Sequence, residues 1–145
     1  MKTINKDDLR YIYKVLDFRV ISDYLLEVFK RSTPSYRNQK IVLLNLLNYL
    51  NKNLEKITMI DIKRYFDEII DKRTNKKNHK PISINSKEAY RSYLSSFFDY
   101  VIGRFLEDNI EYRNPVPNKR IYKFTRYESD IKKQTEFYDE VFTEL

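Results

Sequence analysis

Glycine is almost absent from this chain: Gly103 is the only one among 145 residues, and proline occurs four times. An all-β fold needs many tight turns, which are built largely from these two residue types. Phosphate-binding loops and dinucleotide folds need glycine where the backbone approaches phosphate. We therefore predict an all-α protein with short loops, and we exclude those two classes of nucleotide-binding fold.

The residue types that are missing narrow the chemistry further. Cysteine is absent and His79 is the single histidine, so we expect no disulfide, no thiolate nucleophile and no histidine-based metal site. No cofactor is predicted. The sequence has no apolar run long enough to span a bilayer, and its N-terminal stretch is polar. We therefore expect a soluble, cytoplasmic protein that has no membrane partner.

Apolar residues recur at helical spacing in five segments of the chain. In the first segment, the apolar stripe shifts phase near residues 17–20. This segment could therefore form either one helix or two. The predicted segments are residues 6–30, 34–51, 58–70, 83–105 and 127–143.

Capping residues mark where three of these helices begin. Thr33 is the expected N-cap of the second, with Pro34 in its first turn. Thr58 and Asp61 have the spacing of a capping box at the start of the third. Ser83 or Asn85 caps the fourth, whose predicted core stripe runs from Tyr90 to Phe105, with Lys87, Arg91 and Ser95 on the opposite side.

The net charge of +7 is unevenly distributed along the chain. Residues 1–59 carry 11 Lys/Arg against 6 Asp/Glu, and residues 60–126 carry 15 against 9, whereas residues 127–145 carry 2 against 6. A basic body with an acidic tail suits a polyanionic partner. A lysine-rich composition has other origins, so charge alone leaves an ordinary solvated surface equally open.

Four sequence pieces occur in a specific order: "STPSYRN", "ITMIDIKRYF", "SINSKEAYRSYLSSFFDYV" and "NPVP". Together they resemble the core-binding domain of tyrosine recombinases and phage integrases. The resemblance covers residues 20–126 and implies a four- to six-helix SAM-like bundle. Residues 1–19 would be an N-terminal helical extension, and residues 127–145 an acidic helix or the start of a linker to an absent catalytic domain.

The resemblance also implies a function, which is half of a clamp around double-stranded DNA in site-specific recombination. In that family the catalytic residues lie in a second domain, so we expect no catalysis from this chain and no nucleophile among its tyrosines. The third and fourth helices of the family face the groove. The predicted DNA-binding residues are Thr33, Ser35, Arg37, Lys40, Lys63, Arg64, Lys72, Arg73, Lys76, Lys77, Lys80, Asn85, Lys87, Arg91, Ser95, Lys119 and Arg120.

Each of these groups also has a plainer interpretation. The lysines of residues 72–80 would only keep a surface loop solvated. The residues at the start of the second helix would form an ordinary N-cap. Arg91 would pair with Glu88 on a solvated helix face. The rival function is a small protein-interaction or regulatory protein whose apolar, acidic last helix docks a partner, a second copy or a catalytic domain. A third hypothesis is that the acidic tail folds onto the basic surface and inhibits DNA binding.

Overall fold

The structure is a computed structural model that describes residues 3–126, and over that range it is helical without strands. The all-α prediction is confirmed. The four helices are α1 (Val15–Arg31), α2 (Thr33–Leu50), α3 (Met59–Tyr65) and α4 (Ile84–Glu107). Single 3₁₀ turns occupy Lys6–Asp8 and Leu54–Lys56, and α3 continues into one wider π-turn at Phe66–Ile70. No helix of this range is long and apolar enough to cross a membrane.

The predicted first segment holds one α-helix, α1, which runs unbroken through the phase shift at residues 17–20. The break lies earlier, at residues 9–14, which are not helical. Asn48 of α2 is the physical reason. Its Oδ1 accepts a hydrogen bond from the Arg10 N–H at 2.7 Å, and its Nδ2 donates to the Asp8 carbonyl at 3.0 Å. These bonds use backbone groups on both sides of buried Leu9 that a helix would need. The chain therefore stays non-helical between Leu9 and the start of α1.

The central helix is α2, which contacts α1, α3 and α4. Its residues Val42, Leu43, Leu46 and Leu47 are buried. The N-cap is Ser32 rather than Thr33, which is the first helical residue. The predicted position is therefore wrong by one residue, while proline still lies in the first turn, where its missing N–H is harmless.

The capping box predicted for the third helix is confirmed. Thr58 Oγ1 accepts from the Asp61 N–H at 3.5 Å, and Asp61 Oδ2 accepts from the Thr58 N–H at 2.9 Å. Lys52 Nζ lies 2.9 Å from the same carboxylate oxygen. Burial alone would raise the pKa of Asp61, but these hydrogen bonds outweigh it, so the pKa lies below its ordinary value.

Helix α4 begins after Ser83, whose Oγ accepts from the Ser86 N–H at 3.2 Å. Of the two predicted caps, Ser83 is the one the structure uses. The fully buried part of the predicted aromatic stripe consists of Leu94, Phe97, Phe98, Val101 and Phe105.

The chain after α4 does not leave the domain at the Asn-Pro step. Residues 112–126, which we call the strap, cross the bundle without helical structure. Tyr112 Oη donates to the Ile57 carbonyl at 2.9 Å, and Asn114 Nδ2 donates to the Ser95 carbonyl at 3.0 Å. Phe124 is buried against the ring of Phe66, with 4.9 Å between ring centroids. The strap is therefore part of the core.

The predicted boundary at residues 19 and 20 falls inside α1. Ile4 and Leu9 from before that boundary belong to the same buried cluster as the four helices. Residues 1–19 are thus neither helical throughout nor separate from the body. The predicted last helix, residues 127–143, lies outside the described residues.

Candidate nucleic-acid interface

Lys87, which the sequence placed on the outer face of α4, is completely buried. Its Nζ lies 2.8 Å from Asp71 Oδ1 and donates to the Thr125 carbonyl, also at 2.8 Å. Asp71 follows the end of the third helical segment, and Thr125 is near the end of the strap. Lys87 thus joins three parts of the chain inside the protein.

Arg91, one helical turn later, is also buried. Its Nη1 donates to the Pro117 carbonyl at 3.0 Å, and its Nη2 donates to the Tyr122 carbonyl at 2.7 Å. The guanidinium lies over the ring of Phe124, 4.7 Å from its centroid. Its Nε lies 3.1 Å from Glu88 Oε2, which is the ion pair that the plainer interpretation expected.

The prediction that Lys87 and Arg91 contact DNA from a solvated face is therefore wrong. Their charged groups bond to buried backbone and carboxylate oxygens and are not available to phosphates. The sequence does contain the signal, because residues 87, 91, 94, 98, 101 and 105 follow one another at steps of three and four. Lys87 and Arg91 are thus the start of the core stripe. Ser95 is half-buried, and its Oγ accepts from Asn114 Nδ2 at 3.2 Å.

Two cation-rich segments that contain no Asp or Glu follow α3 in the described chain: residues 72–80 and the strap. The first is a loop closed by a bridge between Thr74 and Pro81. Within it, the Asn75 N–H donates to the Lys80 carbonyl at 2.8 Å. Nine cations of these segments are exposed. Arg113 lies apart near the start of the strap, and we call the other eight the basic face: Lys72, Lys76, Lys77, Lys80, Lys119, Arg120, Lys123 and Arg126.

Asp71 brings the two segments together, although it is 54 residues from Thr125 in the chain. Its Oδ1 accepts from the Thr125 N–H at 2.8 Å, and its Oδ2 accepts from the Thr125 hydroxyl at 2.6 Å. Lys72 is the next residue after Asp71, and Arg126 is the next after Thr125. The lysine loop and the strap therefore meet at this contact.

The carboxylate of Asp71 stays ionised in this arrangement. Burial alone would raise its pKa, but the hydrogen bonds from Lys87 and Thr125 outweigh that effect and hold the pKa below its ordinary value. A neighbouring carboxylate, that of Asp67, accepts a hydrogen bond from Tyr122 Oη at 2.6 Å. Burial is the main effect that raises the pKa of Tyr122, and the hydrogen bond to Asp67 raises it further, so the phenol stays protonated.

A groove of about 570 Å³ runs between the start of α4 and the strap. Ile84 and Phe124 supply its apolar lining, and Asn85 and Glu88 line it from α4. Its remaining lining residues are the strap cations Lys119, Lys123 and Arg126. Among the predicted site residues, Asn85 and Lys119 thus meet in one groove. Lys123 and Arg126, which follow the Asn-Pro step in the sequence as Lys119 and Arg120 do, line the same groove.

Arg73 differs from the lysines around it because it is half-buried. Its guanidinium lies over the Tyr90 ring, 5.3 Å from the centroid. Lys63 and Arg64 lie in the last turn of α3, where Arg64 is exposed and Lys63 half-buried. The structure leaves their predicted contact with DNA open.

The predicted group at the start of α2 forms a different local structure. Ser35 Oγ accepts from Gln39 Nε2 at 3.3 Å, and Lys40 Nζ lies 5.8 Å from the centroid of the Tyr36 ring. Arg37 is exposed, and Thr33 contributes its backbone to the first turn. The pocket beside this helix start holds about 170 Å³ and is lined by Ser35 but by no member of the basic face.

Comparison of the chain with protein-family models, with curated proteins and with solved structures finds no match. The resemblance to a recombinase core-binding domain therefore stays a prediction. Within residues 3–126 no three His, Cys, Asp or Glu side chains are grouped so that they would hold a metal ion. The acidic helix of the rival hypothesis lies outside that range.

Proposed function

We propose that this protein binds double-stranded DNA through the basic face, as the non-catalytic, core-binding-like module of a tyrosine recombinase. The observation that carries the proposal is the Asp71–Thr125 contact, which joins two acid-free basic segments that are far apart in the sequence. The eight exposed cations of the basic face then lie on the lysine loop and the strap. Such a set of exposed cations is the electrostatic footprint expected for a phosphate backbone.

The composition of the basic face favours phosphate contacts over base reading. Six of its eight members are lysines, which act as point charges, and only Arg120 and Arg126 carry the planar fork that recognises guanine. Phosphate contacts position a protein on the duplex and carry no direct sequence information. The protein therefore binds duplexes of mixed sequence with similar affinity and leaves site choice to other parts of the assembly.

The test is a fluorescence-anisotropy titration of a short mixed-sequence duplex with the full chain at several salt concentrations. If all eight cations contact phosphates, the slope of log K against log salt is at most about −7, at roughly −0.9 for each phosphate. Neutralising the loop with K72Q/K76Q/K77Q/K80Q removes up to about half of that slope. The matched control, K6Q/R10Q/R19Q/K30Q, removes the same charge from exposed residues elsewhere and leaves the slope nearly unchanged.

A second variant separates DNA binding from the rival hypotheses. Changing the six acidic residues of 127–145 to their amides removes the negative charge of the tail. Tighter duplex binding by this variant supports inhibition by the tail. Absence of duplex binding at low salt in both the natural chain and this variant contradicts the DNA proposal and leaves the protein-docking function.

A further inference from the structure

Buried cations of α4 hold the strap by its backbone. Lys87 donates to the Thr125 carbonyl, and Arg91 donates to the carbonyls of Pro117 and Tyr122. Asp71 completes the arrangement by accepting from the Thr125 N–H. Because these contacts use mainly backbone groups, they leave the charged side chains of the strap exposed.

The strap depends on these contacts for its position. An extended segment lacks the i→i−4 hydrogen bonds that make a helix rigid, and its backbone polar groups need partners elsewhere. Its described backbone bonds are confined to one turn, in which the N–H groups of Ile121 and Tyr122 donate to Asn118. Side chains of α4 and of the α3 end therefore supply most of what fixes residues 117–125.

We propose that Asp71, Lys87 and Arg91 are positioning residues for nucleic-acid binding, which rests on the proposed function. They contact no nucleic acid. They hold the strap members of the basic face at a defined place beside the loop lysines, so that both sets meet the same stretch of phosphate backbone. These strap members are Lys119, Arg120, Lys123 and Arg126. A strap released from these contacts would have to become ordered when DNA binds. The conformational entropy lost in that step would lower the affinity for DNA.

The experiment is a double-mutant cycle on the full chain, with duplex affinity measured over a range of salt. Asp71→Asn weakens the ion pair with Lys87 and the bonds from Thr125. The strap-neutral variant K119Q/R120Q/K123Q/R126Q removes the four strap charges of the basic face and keeps the buried contacts. We expect Asp71→Asn to lower the affinity several-fold and to reduce the salt slope toward that of the strap-neutral variant. In the strap-neutral background, Asp71→Asn has no further effect on the slope.

A milder variant keeps the proposal testable if Asp71→Asn fails to fold. Thr125→Val removes only the hydroxyl bond to Asp71 Oδ2, and we expect it to shift affinity and slope in the same direction by a smaller factor. Hydrogen exchange without DNA supplies an independent readout. The Thr125 amide, which donates to Asp71, exchanges faster in both variants, while the amides in the middle of α4 keep their protection.

The outcomes separate this inference from the proposed function. Faster exchange at Thr125 with an unchanged salt slope overturns the positioning role and leaves DNA binding intact. An equal loss of affinity in both backgrounds also overturns it, because general destabilisation explains such a loss. A natural chain that binds no duplex overturns the proposed function itself, and the positioning role with it.

Discussion

Lys87 Nζ and Asp71 Oδ1 form a 2.8 Å ion pair in which no part of the lysine side chain reaches solvent. The pair connects the fourth helix to the turn that follows the third helical segment, and both members also bind Thr125. Taking two charges out of water is unfavourable unless geometry and further hydrogen bonds compensate. Those further bonds come from the strap, so helix packing and strap position are coupled through this pair.

Charge reversal at Lys87 should strongly destabilise the whole fold rather than weaken one surface contact. In Lys87→Glu a buried carboxylate would face Asp71, and breaking a buried pair typically costs about 3–5 kcal/mol. Urea unfolding followed by circular dichroism measures the loss. The control is Lys80→Glu, an exposed change of the same kind that should stay within about 0.5 kcal/mol. Equal midpoints for the two variants would contradict the buried position of Lys87.

The free energy of unfolding should decrease at acidic pH because Asp71 becomes protonated. Its pKa is lower in the folded than in the unfolded state, so its contribution is fully present above the unfolded value. That contribution is lost as the pH falls from about 5 through the folded pKa. In the Asp71→Asn variant a neutral amide faces Lys87 and Thr125. This variant should be less stable than the natural protein at neutral pH, and its stability should depend less on pH in the acid range. Unfolding free energies measured across the acid range test this, and parallel curves for the two proteins would contradict it.

Thr58→Ala should destabilise the start of α3 by about 1 kcal/mol, because it removes the oxygen that accepts from the Asp61 N–H. Thermal unfolding gives the change in Tm. Thr74→Ala, an exposed threonine in the lysine loop, is the matched control and should be nearly neutral. A larger effect at Thr74 than at Thr58 would argue against the capping box.

Phe98→Ala should be among the most damaging single changes to the core. The ring is fully buried and lies 5.1 Å from that of Phe97, centroid to centroid. Truncating a buried phenylalanine typically costs about 3–5 kcal/mol. Leu106→Ala on the exposed side of the same helix should cost less than about 0.5 kcal/mol. Chemical denaturation of both variants would show whether α4 faces the core as described.

Local features were predictable where short-range physics decides them. Three such features depend on residues within one or two helical turns of each other. They are the capping box at Thr58 and Asp61, the N-cap at Ser83 and the core stripe from Leu94 to Phe105. The non-helical stretch before α1 was not predictable in this way. It depends on Asn48, about 40 residues away, which bonds to the backbone on both sides of Leu9.

The sequence by itself determined an all-α chain with a basic body, because glycine scarcity, apolar spacing and charge are properties of the residues alone. Only the tertiary structure decided which cations are exposed. Lys87 and Arg91 are buried because backbone carbonyls of the strap and the carboxylate of Asp71 compensate their charges. The same long-range contacts bring the lysine loop and the strap together. Helical periodicity places a side chain on a face, but a distant partner decides whether a charge on that face is buried.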